Sequence, residues 1–245
     1  ISNAIAPFAS AFIIERSKNA IGYTIVFSLS LIIFVVLIFI SIFLKSEDYG
    51  ERIVLKKMIK SGNEEWRILR KGFAIWGLRD VVILFLISIL IYKTTGSEMA
   101  LGKLSFFSYL LAAVSCVVQQ RIIKPKRRVL SLTIGAIAMF IAVIGLVIKI
   151  EYIFLVIYIF IDAIFMPFFT VPMSSAGFNV LTRSHEEEFR TEYIINKEFA
   201  LNFGRVASTF LLIILLMFIK NPRVLNYFLL FIGSTQLGAL FFLRK

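Results

Sequence analysis

The chain has 245 residues, of which 59% are hydrophobic and 17% charged, with 26 Phe and a formal net charge of +12. A soluble domain holds roughly 45–50% apolar residues and needs charge to cover its surface, so this composition excludes one and points to an integral membrane protein. The positive charge would suggest nucleic acid in a soluble protein, but here it collects in alternate loops, which membrane topology explains with no nucleic-acid partner.

A span needs about 20 apolar residues to cross about 30 Å of hydrocarbon. Ile1–Ile14 is too short alone and reads as the end of a span. The chain opens in mid-hydrophobic pattern, without Met or a basic leader, which reads as a piece of a longer protein rather than a signal peptide. Tyr23–Leu44 is a full span without a charge. Lys45–Lys71 follows, the one long polar stretch, with eight Lys/Arg against five Asp/Glu. Within it Ile53, Val54, Leu55, Met58 and Ile59 oppose Arg52, Lys56, Lys57 and Lys60, the pattern of a short helix lying in the headgroup layer or of a solvated connector. Further spans are expected over Phe73–Tyr92, Leu104–Val118, Val129–Ile148, Tyr152–Val171, Phe199–Ile219 and Leu225–Leu243. The expected fold class is therefore an all-α polytopic bundle with seven whole spans and one partial one. It divides into a front part (1–44), a central loop (45–72) and a back part (73–245).

Lys and Arg in short loops set orientation. With Lys45–Lys71 inside, the basic run Arg121–Arg128, the segment Ser174–Lys197 and the tail Arg244-Lys245 also fall inside. The intervening loops are short and carry one or two cations each. Small residues that let helices approach recur at Ser108, Ala112, Cys116 and Gln120, at Ala200, Gly204 and Ser208, and at Ser234 and Gly238.

Polar groups inside a span are costly and default to functional candidates. Asp162 lies about 15 Å into its span at 1.5 Å per residue, with Tyr158 one turn earlier on the same face. Pro167 frees the Ala163 carbonyl, so a carboxyl, a phenol and a carbonyl converge at mid-depth. Two readings stay open: a proton or substrate site, or an acid paired with a base elsewhere. Arg79-Asp80 is placed about two turns inside the cytoplasmic end of its span. Arg205, with Asn202 one turn away, has a similar depth, where an arginine can snorkel to the headgroups. For both, a latch between helices is as good a reading as substrate binding. Gln236 is a lone amide in the last span. His185-Glu-Glu-Glu-Phe-Arg190 lacks metal-ligand geometry and reads as a solvated charge run. No Walker, nucleophile-elbow or His-Glu-x-x-His pattern occurs, so no cofactor, metal or enzyme chemistry is expected.

This order of elements resembles the major facilitator superfamily of secondary transporters, whose two six-helix halves are joined by a long cytoplasmic loop. In that register the whole spans are helices six to twelve and Ile1–Ile14 is the end of helix five. Ala6-Pro7-Phe8-Ala9-Ser10-Ala11 is similar to the family's Gly-Pro-x-x-Gly-Gly of helix five, with Ser10 and Ala11 in place of the glycines. Lys124, Arg127 and Arg128 fall where the family repeats a basic loop motif, although Gln119 and Ile123 replace its glycine and aspartate. Glu192-Tyr-Ile-Ile and Asn202-Phe-Gly-Arg205 are similar to stretches of bacterial permeases in this superfamily. The resemblance implies alternating access and a small-molecule substrate. It also implies an N-terminal half that completes the site, and a place in the bacterial cytoplasmic membrane, with the lipid bilayer as partner. The proline motif, associated with antiporters, implies proton-coupled export. Uptake by symport or uniport, a non-transporting scaffold or sensor, and a membrane-embedded enzyme are the alternatives. The topology is checked by cysteine labelling: cysteines at Ser61 and Ser184 should react only from the cytoplasm, and one at Ser97 only from outside. Equal labelling of Ser61 and Ser97 from one side overturns the alternation.

Overall fold

Capping chemistry decides where the longest helix begins and turns back. Asn63 accepts a hydrogen bond from the Trp66 amide at 3.2 Å, and Glu64 and Glu65 occupy the first turn. At the other end Gly96 adopts φ 64° and donates its amide to the Tyr92 carbonyl at 2.8 Å. That left-handed terminus suits a residue without a Cβ. Ser97 immediately caps the next helix by accepting from the Ala100 amide at 3.2 Å, so two residues reverse the chain.

The computed structural model describes residues 2–17, 20–44, 63–183, 185, 187–218 and 222–243. Every regular element among the described residues is helical. The α-helices are α1 (Ser2–Arg16), α2 (Ile21–Ile42), α3 (Glu64–Thr95), α4 (Glu98–Ile122), α5 (Arg128–Ile148), α6 (Tyr152–Arg183), α7 (Arg190–Phe218) and α8 (Pro222–Leu243). Short 3-10 turns at Pro125–Arg127 and Glu187–Phe189 precede α5 and α7. All but α1 are long and apolar enough to cross a membrane. The headgroup-layer helix expected around Arg52–Lys60 lies outside the described residues.

Several helices outrun the spans expected from hydropathy. α3 starts nine residues before Phe73, so the last part of the stretch read as a loop (64–72) is helical, with Trp66 and Leu69 buried. Likewise α6 continues to Arg183 and α7 starts at Arg190, which leaves only a short connection where Ser174–Lys197 was expected to loop. The reason is that hydropathy registers only the lipid-facing length. At 1.5 Å per residue a 32-residue helix such as α3 is about 48 Å long, well beyond the hydrocarbon layer.

α6 runs unbroken through Pro167 and Pro172. Each proline withholds an amide from the carbonyl four residues back. Ser131 of α5 donates its hydroxyl to the Phe168 carbonyl at 2.7 Å, the one released by Pro172. Ser115 of α4 donates to the Ile164 carbonyl, beside the turn that Pro167 loosens. At Pro172 a neighbouring hydroxyl thus replaces the missing amide, as a buried backbone carbonyl needs.

From α3 onward the broadest contacts join α3 to α7 and α8, α6 to α4 and α5, α5 to α8, and α3 to α6. Exchanging α3 with α6, α4 with α7 and α5 with α8 maps this set onto itself. The lengths follow the same order, 32, 25 and 21 residues against 32, 29 and 22. In front of this bundle α1 packs on α4, and α2, apolar all round, buries only Gly22 against α1.

The small-residue stripes divide. Ala200, Gly204 and Ser208 are all buried, and Gly204 sits where α7 crosses α3 at Gly77. On α4, by contrast, the buried edge is Ser115 and Gln119, one position before Cys116 and Gln120, and Ser108 and Ala112 border a cavity instead. On α8 the buried edge holds Ile232, Gln236 and Ala239 while Gly238 is exposed. A Cβ added to Gly204 would lie 2.1 Å from the Ala74 carbonyl oxygen, and one on Gly77 2.3 Å from that of Leu201. These are backbone atoms that a rotamer change does not move. Gly204→Ala should therefore lower stability to unfolding in detergent by about 1–3 kcal/mol. Gly145→Ala, whose Cβ meets nothing within 4 Å, should be neutral or stabilise by up to about 1 kcal/mol. Equal stability of the two variants would refute the close crossing.

Candidate functional site

The apolar interior is divided into two clusters stacked along the bundle. One holds Trp66, Phe73, Trp76, Met139, Phe169 and Leu201; the other holds Val82, Ile83, Val143, Tyr158, Leu212 and Ile232. Between them four helices change character at one level. On α3 the change falls at Arg79-Asp80, on α6 at Asp162, on α7 at Arg205 and Ser208, and on α8 at Gln236.

Arg79 is 2% exposed. Its Nη2 donates to the Asp162 carboxylate and, at 3.1 Å, to the Tyr158 hydroxyl. Its guanidinium carbon lies 5.3 Å from the centre of the Trp76 ring, a cation–π contact on the opposite cluster's side. Its Nε has no hydrogen-bond partner. The charge is therefore held by one carboxylate, one phenol and one indole face. The sequence neighbour Asp80 turns away from Arg79 and meets α7: Arg205 donates to Asp80 Oδ2 from Nε at 3.0 Å and from Nη2 at 2.6 Å, and to Asn202 Oδ1 from Nη1 at 3.0 Å. Successive helical residues point about 100° apart, which is why two adjacent opposite charges reach two different helices instead of each other.

This arrangement joins all six mid-span candidates into two clusters, Arg79–Asp162–Tyr158 and Asp80–Arg205–Asn202. It also revises two expectations. Arg79-Asp80 lies about four turns rather than two from the start of its helix, because α3 begins at Glu64 and its midpoint falls between these two residues. Arg205 does not snorkel; it binds Asp80 across the α3–α7 contact. Asp162 has the base on another helix that one of its two open readings called for, namely Arg79. Gln236 donates to the Ala136 carbonyl at 3.1 Å and ties α8 to α5 at the same level.

The two carboxylates keep an open side. Asp162 is 20% and Asp80 22% exposed, and both border a cavity of about 260 Å³ between α3, α4 and α6. Hydroxyls of Ser88, Ser105, Ser108 and Tyr109 share its wall with Ile83, Ile87, Leu104 and Met166. Such a chamber offers hydrogen-bond acceptors and donors against an aliphatic lining, and the charges on its wall are Arg79, Asp80 and Asp162, with Arg205 pairing Asp80 from outside it. Nothing in the sequence singled out Trp76, Ser115 or Ser131, whose partners lie on other helices. The Trp76–Arg79 spacing of three was the one visible signal.

Of the remaining sequence candidates, Pro7, Ser10 and Ala11 lie where α1 meets α4. A Cβ on Gly102 would touch the Ala11 Cβ and the Pro7 carbonyl oxygen, so the small residues set this close approach. Lys124 and Arg127 are exposed between α4 and α5, and Arg128 is half-buried at the start of α5.

The chain is 34% identical over 225 residues, 87% of its length, to the uncharacterized protein YqgE of Bacillus subtilis (strain 168). It spans 51% of that relative, about half its length. No protein-family model and no solved structure matches.

Removing one partner of a buried ion pair leaves an uncompensated charge and costs about 3–5 kcal/mol. Asp162→Asn should accordingly lower the unfolding midpoint in detergent, and Arg79→Gln/Asp162→Asn should recover most of the loss. A double variant no more stable than the single one would show that the two groups do not act as a pair.

Proposed function

We propose that the chain is the C-terminal portion of a secondary active transporter of the major facilitator type, which moves a small organic solute by alternating access in proton-coupled export. The observation that carries this reading is the Arg79–Asp162 pair: it joins the first helices of two three-helix units whose contacts map onto each other on exchange, and it borders a cavity. Three spans per unit invert the second unit relative to the first, the arrangement in which transporters place their sites at the repeat interface near mid-membrane. Charges at such depth are costly and mark substrate or proton pathways. Packing of α1 on α4 adds support, because it joins the front part to the back part helix on helix, as two transporter halves would meet.

In this mechanism solute enters the chamber beside Asp80 and Asp162. The Asp162 carboxylate, when ionised, holds Arg79 and α3 to α6. When it takes a proton it loses that attraction, and α3 and α6 are free to move relative to one another. Proton and solute thereby act on the same helix contact from opposite sides, which couples the two fluxes without a cofactor. The Tyr158 hydroxyl and the Trp76 face keep Arg79 oriented in both conditions.

The test uses the full-length protein in proteoliposomes with a panel of small organic solutes. Asp162→Asn keeps the shape and removes the titration, so it should abolish transport driven by a pH gradient while solute exchange across the membrane persists in part. Arg79→Gln/Asp162→Asn should regain stability without regaining proton coupling. Unchanged pH-gradient dependence in a stably inserted Asp162→Asn protein would end the proton role, and absence of flux for every solute would favour a scaffold.

A further inference from the structure

Far from the charged layer, a second group of cations gathers where α5 begins and α6 ends. Lys126, Arg128 and Arg183 border an open recess together with Asn179 and Thr182. Arg128, Asn179 and Arg183 also border an adjoining groove of about 290 Å³ between the ends of α3, α5, α6 and α8. The groove is apolar along Leu69, Val129, Leu132, Val180 and Phe242, with Pro172 and Ala176 at its back. Glu65 is the one acid on its rim among the described residues. Lys126, Arg128 and Arg183 form no ion pair among the described residues. No side chain caps α5, so its first amides also lack a side-chain acceptor.

We propose that this cleft binds one anionic phospholipid, its phosphate on Arg128 and Arg183 with Lys126 beside them, and an acyl chain in the groove. The chemistry asks for an amphiphile because the cationic recess and the apolar groove are continuous through shared residues. A free anion would satisfy the cations and leave the groove to water. A neutral lipid would fill the groove and leave three cations facing one carboxylate. The site lies at the end of the bundle that the Lys/Arg distribution assigns to the cytoplasm, where membrane surfaces carry anionic lipid that attracts basic residues. It also separates the basic loop into working and idle parts: Lys124 and Arg127, singled out by sequence, do not border the cleft, whereas Lys126 and Arg183 do.

Native mass spectrometry of the full chain, released from micelles doped with phosphatidylglycerol or phosphatidylcholine, tests this. Phosphatidylglycerol should remain bound at the lower lipid concentration. Arg128→Gln/Arg183→Gln should raise its apparent Kd on the order of 30-fold, about fivefold for each cation lost, and leave phosphatidylcholine unchanged. Val129→Trp, which narrows the groove from its exposed side and alters no charge, should weaken phosphatidylglycerol as well. Lys124→Gln/Arg127→Gln removes the same net charge outside the cleft and should change neither lipid. Equal retention of the two lipids, or an unchanged affinity in the Arg128/Arg183 variant, overturns the proposal. Displacement of phosphatidylglycerol by inorganic phosphate, with Val129→Trp without effect, overturns it too and leaves a site for free phosphate.

Discussion

The bundle depends on pairing four charged side chains across its interior, where little water reaches them. Arg79, Asp80, Asp162 and Arg205 sit at one level between two apolar clusters. Taking such charges out of water is so unfavourable that each must find an opposite partner at hydrogen-bond distance. That requirement sets how α3, α6 and α7 are rotated about their own axes. Turning α3 by one residue would bring Asp80 toward α6, where it would meet Asp162, a like charge. The apolar clusters then fill the space above and below with few constraints of their own, since apolar side chains tolerate exchange of neighbours far better than charges do.

Backbone satisfaction is the second constraint, and it works through the same helices. Two prolines in α6 release carbonyls inside the bundle; a serine of α5 answers the one released by Pro172, and a serine of α4 bonds the carbonyl next to the one released by Pro167. Those hydroxyls fix the rotation of α4 and α5 against α6 as the ion pairs fix α3 and α7. A helix carrying both an ionised group and two prolines is poorly suited to a purely structural role, because several partners on other helices must compensate it. Its place beside the cavity gives that cost a use: the contact holding α3 to α6 is the one that proton or solute would alter in the proposed transport cycle.

The cleft proposed to hold a lipid is a different kind of site. Its cations lie near helix ends, where side chains reach the headgroup layer, and their charges lack protein partners among the described residues. The interior pairs are closed circuits that respond to movement of helices. The surface cations are open and, in the lipid-binding proposal, respond to the composition of the membrane.

What the sequence by itself determined is the helical character of the chain, the number of helices long and apolar enough to cross a membrane, and which polar residues lie inside them. Apolar runs of bilayer length and isolated charges within them are local facts, readable because a lipid medium tolerates so few alternatives. Helix ends were less legible: hydropathy stops at Phe73, while Asn63 and the burial of Trp66 and Leu69 carry α3 further. Only the tertiary structure decided the pairings. Arg79 and Asp162 are 83 residues apart, Asp80 and Arg205 125, and an adjacent Arg-Asp dipeptide says nothing of which distant helix each faces. The choice of Ser115 over Cys116 as the buried residue of α4 is likewise a matter of rotation by about 100°. Periodicity marks several faces of a helix as suitable for packing, and the neighbour that must be satisfied selects one of them.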